Sequence, residues 1–302
     1  MRASSATLGP RESSGEPAQV VTVTSYARPY VSTDAGALAG AVVLRPSTAV
    51  DRLPPIKGEP AVIADRAQEQ HRILVGRLRA LGVTVHEIQP QTESATESLV
   101  ADCAIVLPDG AVIARPSQIE RRSEVATVEK HLTELGIPIV GRIEAPGLLD
   151  GTDVALAPGR VFVGVPRAGA GLRRRSNELG RKQLEAIVTR MGFGVVELAV
   201  ANDVPRLRDV FSVIASDTVV AAPDRVDLVA AAGMRVIEVP RGEELAAGVL
   251  TLGERRVLTN VRFRESVALL RRAKITVEAF DLWEFGKAGF GPCALALPVK
   301  RG

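Results

Sequence analysis

Three short segments of this sequence combine residue types that could carry chemistry: one around a cysteine and two around carboxylates. Cys293 follows a glycine-containing stretch, Lys-Ala-Gly-Phe-Gly-Pro, and leads into an apolar run. Such a loop lets backbone N–H groups approach a ligand, and nearby donors can lower the pKa of a thiol. The alternative is a small buried core residue, which is the commoner role of a free cysteine.

The carboxylates could bind a cation. Asp150 and Asp153 flank Gly-Thr just before a predicted hairpin, and Asp102 precedes an apolar strand. Carboxylates recognise a guanidinium group through paired hydrogen bonds. The alternative for each residue is a turn or capping role, in which Asp accepts hydrogen bonds from backbone amides.

Basic residues and histidines give weaker signals. Arginines cluster at 121–122 and 173–175, where they are either solvated charges or a clamp for a ligand carboxylate. His71, His86 and His131 have no metal-ligand spacing, and the sequence contains no P-loop or dinucleotide fingerprint. We therefore predict no metal and no cofactor.

The composition limits the class of protein. Hydrophobic residues make up 46% and charged residues 24%, which is typical of a folded globular chain. The net charge is only +3, and no basic stripe is interleaved with aromatic residues, which argues against a nucleic-acid partner. The sequence has only two cysteines, and it lacks an apolar N-terminal stretch and any apolar segment long enough to span a membrane. We therefore predict a cytoplasmic protein without a membrane partner.

A repeated pattern must position the candidate residues. Residues 1–18 lack periodicity and are predicted to be a flexible tail, and residues 19–302 a single domain. Two short apolar strands joined by a turn recur, commonly followed by a helix and a further strand, at a spacing of roughly 35–60 residues. The hairpin turns are predicted at Pro108–Gly110, Ala157–Gly159, Ser216–Asp217 and Gly253–Glu254.

The ends of the chain extend this pattern. Helices are predicted at Ala61–Leu81, Gln118–Leu135, Arg174–Met191, Asp224–Ala232 and Arg262–Ala273. A first strand is predicted at Val20–Thr24, and the C-terminal strand Cys293–Pro298 could pair with the early strand Ala39–Leu44. A closed ring and an open mixed α/β sheet both fit, and in a ring the polar residues at the inner strand ends would meet around a small ligand.

Several motifs occur in an order that resembles the dimethylarginine dimethylaminohydrolases of the guanidine-modifying, amidinotransferase-like superfamily. From about residue 39 to the end they are Ala-Val-Val-Leu-Arg-Pro46, Arg66-Ala-Gln-Glu-Gln-His71, Leu-Val-Ala-Asp102, Arg115-Pro-Ser-Gln-Ile-Glu-Arg-Arg122, Leu-Asp-Gly-Thr-Asp153-Val, Arg175-Ser-Asn177 and Gly-Pro-Cys293. The resemblance implies a five-fold pseudosymmetric α/β propeller of ββαβ units that acts on a small guanidino compound.

The resemblance also implies a mechanism. In that family a cysteine attacks the guanidinium carbon, an amine leaves, and water releases a ureido product such as citrulline. By position, Cys293 is the nucleophile and Asp150 the acidic partner of the catalytic histidine. The residues that would contact or surround the substrate are Asp102, Arg121, Arg175 and Asp153.

The sequence departs from the family at the catalytic histidine. The corresponding stretch reads Val204-Pro-Arg206-Leu207, and the best alignment places Arg206 at the histidine position, while a shift of one gives Leu207. Neither residue can shuttle protons at neutral pH, because arginine stays protonated. A second acidic position of the family is replaced as well, by Thr96 or Glu97.

Three functional hypotheses remain. The first is a hydrolase or transferase that acts on a guanidino compound by a modified route, with Arg206 stabilising the thiolate. The second is a silent homologue that binds arginine-like ligands without turnover, and the third is a structural or interaction role. Loss of an acid-base group typically lowers a rate by roughly 100- to 10,000-fold, so the first hypothesis predicts weak activity. The sequence leaves open which guanidino compound is used and whether the chain forms a homodimer.

Overall fold

The computed structural model describes residues 25–91, 93–167 and 175–302. The predicted tail at residues 1–18, the predicted strand Val20–Thr24, and Arg173 and Arg174 lie outside these residues. The described chain contains five three-stranded sheets. In each sheet the central strand pairs antiparallel with one neighbour and parallel with the other.

The strands follow the predicted hairpins closely. The first sheet contains β1 (Leu38–Leu44), β2 (Thr84–Ile88) and the C-terminal strand β15 (Leu297–Arg301). The second and third contain β3 (Ala104–Leu107), β4 (Gly110–Ile113) and β5 (Ile139–Arg142), then β6 (Val154–Ala157), β7 (Arg160–Pro166) and β8 (Gly194–Val200). The fourth and fifth contain β9 (Phe211–Ala215), β10 (Thr218–Ala221) and β11 (Arg235–Glu238), then β12 (Leu250–Gly253), β13 (Arg256–Asn260) and β14 (Thr276–Phe280).

Four of the five sheets have an α-helix between the central strand and the parallel strand. These helices are α1 (Ala64–Ala80), α2 (Arg122–Glu134), α3 (Glu178–Thr189) and α4 (Arg264–Arg272), and a short helix α5 (Trp283–Gly286) follows β14. Helix α1 buries Ala67, Leu74 and Leu78, which share one face, and it ends before Gly82, whose φ is +84°. The longest helix has 17 residues, and no helix in the described ranges is long and apolar enough to span a bilayer.

The predicted helix Asp224–Ala232 is wrong, because this segment contains only a 3-10 helix at Val229–Ala231. The backbone N–H of Asp227 donates to the carbonyl of Ala199, and Val226 forms an isolated bridge with Val200. These bonds to the end of β8 hold the backbone extended where an α-helix would need it coiled.

The two ends of the described chain meet in the first sheet. Strand β15 pairs antiparallel with β1, which confirms that the early strand and the last strand complete each other. The predicted strand Cys293–Pro298 begins too early, however, because Pro292 to Ala294 form a 3-10 helix and the strand starts at Leu297. Pro292 has no N–H to give to a strand ladder and suits the first position of a helical turn.

Neighbouring sheets pack mainly through the strands at their antiparallel edges, and the first sheet also uses its central strand β1. Strand β15 contacts β3, β9 contacts both β6 and β12, and β12 contacts β1. Every central strand has a fully buried apolar side chain: Val42, Val112, Phe162, Val220 and Leu258. Burial on both faces explains why these strands read as continuous apolar runs.

Candidate active site

A short 3-10 helix precedes the antiparallel edge strand of every sheet, and five of the predicted site residues lie on or beside these turns: Asp102, Asp150, Asp153, Arg206 and Cys293. The turns are Val100–Asp102, Gly151–Asp153, Leu207–Asp209, Glu244–Ala247 and Pro292–Ala294. The first contacts the second and the fifth, and the third contacts the second and the fourth. Equivalent turns of five repeats therefore bring residues far apart in sequence to one place.

Two glycines allow the turns to approach each other. A Cβ atom at Gly151 would lie 2.2 Å from the carbonyl oxygen of Ala101, and one at Gly291 would lie 2.3 Å from that of Gly248. Any side chain at either position would collide with the backbone of the next turn. The glycines of the Asp-Gly-Thr and Gly-Pro-Cys motifs are therefore required for the convergence of the site.

Asp102 is the centre of the charge network and is completely buried. Its Oδ2 accepts hydrogen bonds from Arg121 Nη1 at 2.8 Å and Arg206 Nη1 at 3.1 Å, and its Oδ1 accepts one from the hydroxyl of Thr152. Burial alone would raise the pKa of Asp102, but the charges of Arg206 and Arg121 outweigh it and hold the pKa well below the usual range. Asp102 is therefore an ionised carboxylate, and both of its oxygens already accept hydrogen bonds from side chains of the protein.

In the described part of the chain, the guanidinium group of Arg121 bonds to other buried groups of the protein in addition to Asp102. Its Nε donates to Glu124 Oε2 at 3.0 Å, and its Nη2 donates to the carbonyl of Leu99 at 3.4 Å. Glu124 also accepts from the hydroxyls of Ser94 and Thr96, each at 2.5 Å. Arg121 thus orients Asp102, and its predicted contact with a substrate carboxylate stays a prediction.

Arg206 projects from the residue before the third turn and is 1% exposed. Its Nε donates to Asp209 Oδ2 at 3.0 Å, and its guanidinium carbon lies 4.3 Å from the centroid of the Phe290 ring. Although burial alone would lower the pKa of Arg206, the negative charges of Asp209 and Asp102 raise it. Arg206 is therefore a permanent cation at the centre of the site and cannot act as a base.

The negative charge of Asp150 is compensated much less than that of Asp102 by nearby cations and hydrogen-bond donors. Its nearest cation is Arg175, with Nη1 at 3.6 Å from Oδ2, and neither carboxylate oxygen has a hydrogen-bond partner among the described residues. Burial, followed by the negative charge of Asp102, raises the pKa of Asp150 to about 7. A carboxyl group with this pKa can accept or release a proton near neutral pH.

Asp153 connects two of the converging turns. Its Oδ1 accepts a hydrogen bond from the backbone N–H of Leu207 at 2.8 Å, so it ties the second turn to the third. A direct contact between Asp153 and substrate stays a prediction.

Cys293 lies in the fifth turn and is fully buried. Its thiol donates a hydrogen bond to the carbonyl of Arg208 at 3.4 Å. Burial raises its pKa to about 12, against the lowering effect of the positive charges of Arg208 and Arg206. The surroundings of the sulfur are therefore charged rather than purely hydrocarbon, and the thiol is protonated at neutral pH.

Two acidic residues of the network were missed by the sequence reasoning. Glu124 follows Arg121 by three residues and Asp209 follows Arg206 by three, and each accepts from the Nε of its arginine. The repeated Arg-x-x-acid spacing was a signal that could have identified both pairs. Phe290, within the glycine-containing stretch, gave no comparable signal.

Asn177 holds the backbone next to Asp150 in position. Its Oδ1 accepts from the N–H groups of Gly180 at 2.8 Å and Leu148 at 2.9 Å, and its Nδ2 donates to Pro146. We expect Asn177→Ala to lower the free energy of unfolding by about 2 kcal/mol, measured by urea denaturation, because a helix cap and a loop anchor are lost together. Asn177→Asp keeps the acceptor and should lose less, and equal losses in both variants would contradict this role.

The chain is similar to known proteins in both sequence and structure. No family model matches the chain. A Streptomyces coelicolor protein named N(G),N(G)-dimethylarginine dimethylaminohydrolase is 31% identical over 234 residues, which cover 78% of this chain and 85% of that protein. The bovine protein DDAH2 is 38% identical over 111 residues, so the match spans only 39% of its length and 36% of this chain. The solved structure of a Pseudomonas aeruginosa dimethylarginine dimethylaminohydrolase, a cysteine-to-serine mutant complexed with citrulline, has a TM-score of 0.76 at 22% identity and covers 86% of this chain and 99% of its own.

Proposed function

This chain belongs to the dimethylarginine dimethylaminohydrolase family, and on that premise we propose that it is a hydrolase acting on the guanidino group of arginine or a methylated arginine. The reaction would break a C–N bond of that group and form citrulline. The observation that carries the proposal is the convergence of Cys293, Asp102 and Asp150 on neighbouring turns. A thiol and carboxylates are the groups that attack and hold a planar cation.

In the proposed reaction Cys293 attacks the guanidinium carbon and forms a C–S bond. An amine then leaves with a proton as its C–N bond breaks, and the substrate remains attached to the cysteine as a thiouronium. Water adds to the same carbon, and cleavage of the C–S bond releases the ureido product and the free thiol. Asp102 would hold the guanidinium group, which the geometry allows only when Arg206 withdraws, because Asp102 Oδ2 already accepts two hydrogen bonds.

The thiol proton needs an acceptor, since the pKa of Cys293 is raised to about 12 by burial. Asp150 is proposed for this role because the turn beside it and the turn of Cys293 both contact the Val100–Asp102 turn, its pKa is raised to about 7, and its oxygens have no hydrogen-bond donor among the residues described. Arg208 and, before it withdraws, Arg206 would supply the positive charge that favours the thiolate, as their effects on the pKa of Cys293 support. Turnover should be slow, because it requires both Arg206 movement and proton loss from a buried thiol.

We also propose that the five sheets are the blades of an α/β propeller around a common axis. The contacts of β15 with β3 and of β9 with β6 and β12, together with the pairing of β1 with β15, support this arrangement. The five 3-10 turns would then surround the axis at one end, with the candidate site between them. A cytoplasmic location and a homodimer stay predictions.

Citrulline release is the direct test of the hydrolase. Arginine and its mono- and dimethylated forms would each be incubated with the protein and citrulline measured by colorimetry. Citrulline from at least one of them, absent from heat-denatured protein, would support the proposal. No product from any guanidino substrate would overturn it.

The second candidate is a silent homologue that binds arginine-like ligands without turnover. It is favoured by one observation, the permanent cation Arg206 at the position where the resemblance places histidine. Calorimetry with the same compounds separates the two: binding without citrulline supports the silent homologue, and neither binding nor product leaves a structural or interaction role.

The pH dependence of citrulline formation should reflect the ionisation of Asp150. Its pKa of about 7 means that the basic form accumulates as the pH rises through neutrality, so kcat/KM should rise and then level off. Asp150→Asn should lower kcat/KM by roughly 100-fold and remove this inflection, whereas Asp109→Asn, which changes an exposed carboxylate in the turn between β3 and β4, should keep both. A rate that continues to rise in proportion to hydroxide would instead show that solvent removes the thiol proton.

A further inference from the structure

The guanidinium group of Arg206 is held as a ligand would be held. Two carboxylates from different turns bind it, Asp102 at 3.1 Å through Nη1 and Asp209 at 3.0 Å through Nε. The ring of Phe290 covers it at 4.3 Å, so hydrogen bonding, charge and cation–π contact act together. These three groups define the guanidinium cage: Asp102, Asp209 and Phe290.

The cage is assembled from parts that are distant in sequence. Arg206 and Asp102 are separated by 104 residues. Phe290 belongs to the same Gly-Phe-Gly-Pro-Cys stretch as Cys293, and the turn that holds Cys293 contacts the turn that holds Asp102. Arg206 thus extends from the turn that precedes the fourth sheet to the carboxylate of Asp102, in the turn that precedes the second sheet. This contact lies beside the candidate nucleophile Cys293.

We infer that Arg206 is a built-in ligand that fills the guanidinium cage, so that an external guanidinium or amidinium cation binds there only when Arg206 is withdrawn or shortened. This inference rests on the proposed function for the identity of the cage as the substrate subsite. It differs from a purely structural ion pair, because the vacated cage would accept a free planar cation and present it to Cys293.

A cavity borders the cage on the side of Asp209. A cavity of about 350 Å³ is lined by Asp209 and by Ile56, Val204, Pro205, Leu245 and Ala288. Ile56 is 41% exposed, so this wall is in contact with solvent. A small cation can approach the cage through this cavity once the Arg206 side chain is removed.

Thiol alkylation gives a test that does not depend on turnover. Chloroacetamidine is a planar cation like guanidinium, and chloroacetamide is its neutral counterpart. With either reagent the sulfur of Cys293 forms a bond to the CH2 carbon, the C–Cl bond breaks, and chloride and the thiol proton leave. Labelling would be followed by intact-protein mass spectrometry, with each rate divided by that of N-acetylcysteine and with Cys293→Ser identifying the modified residue.

In Arg206→Ala we expect normalised labelling to be at least about tenfold faster with the amidinium than with the amide. Guanidinium chloride at millimolar concentration should suppress it, while sodium chloride at the same ionic strength should not. In the wild-type protein the ratio should be near one and guanidinium should have no effect. The double variant Arg206→Ala/Asp102→Asn should lose the preference, because one carboxylate of the cage is gone.

Two results would overturn the inference: the same charge preference in the wild type, which would show an open cage, or no preference in Arg206→Ala. If Arg206→Ala does not fold, Arg206→Gln is compared in the same way, since it shortens the side chain but can still donate to Asp102. Absence of citrulline from every variant would sink the hydrolase proposal and leave the labelling pattern unaffected. The two failures are therefore distinguishable.

Discussion

Replacing Cys293 with serine should reduce citrulline formation by roughly 1,000-fold or more, because serine cannot supply a comparable nucleophile without an activating base. The serine hydroxyl can still donate to the carbonyl of Arg208, so the buried hydrogen bond of the thiol is retained. Thermal unfolding should therefore change little while activity is lost. Initial rates of citrulline release at saturating substrate measure the effect.

The second cysteine provides the matched control. Cys103 is buried at 1% exposure directly after Asp102, and burial raises its pKa as well. It packs within a hydrophobic cluster with neighbours such as Val100, so Cys103→Ala should affect stability rather than the rate per folded molecule. An equal loss of activity in both variants would point to a packing effect, and an unchanged rate in Cys293→Ser would remove Cys293 from the mechanism.

The sequence predicted the repeated elements best where turn signals and apolar runs agreed. The hairpin formed by β3 and β4 turns at Pro108-Asp109, within the predicted Pro108–Gly110, and α1 ends before Gly82. The prediction failed at Asp224–Ala232, where an alanine-rich run suggests a helix but the backbone bonds to the end of β8. Local propensity cannot anticipate a partner that lies more than twenty residues earlier in the chain.

The site was predicted less completely than the fold. Ordered motifs singled out Asp102, Asp150 and Cys293 as candidates, and the departure from the family pattern singled out Arg206, but neither showed which of these would pair with one another. The bond between Arg206 and Asp102 depends on where two turns from different repeats come to rest. The pKa values of Asp150 and Cys293 depend on burial by the whole assembly, which no local pattern records.

The position of Arg206 affects both substrate binding and proton transfer in the proposed reaction. Under the proposed function, Arg206 occupies the carboxylate that would hold a guanidinium group, and the resemblance places it where the family has a proton-transferring histidine. Both defects lie in one side chain. Substitution of Arg206 alone can therefore distinguish an enzyme that is impaired only at this position from a homologue whose other site residues no longer support catalysis.

Arg206→His should raise kcat for citrulline formation on the order of 100-fold, because it supplies a group that titrates near neutral pH and releases Asp102. The charge of Asp150 acts on position 206, so it can stabilise the imidazolium. Arg206→Ala is the matched control: it empties the guanidinium cage without adding a base, so any gain it shows measures the vacancy alone. Both variants leave Asp102 and Asp209 less neutralised, so rates would be compared at a temperature where circular dichroism shows both to be folded. A folded Arg206→His that binds methylarginine but turns over no faster than the wild type would show that the remaining groups cannot support hydrolysis, and that the family's chemistry has been lost beyond this position.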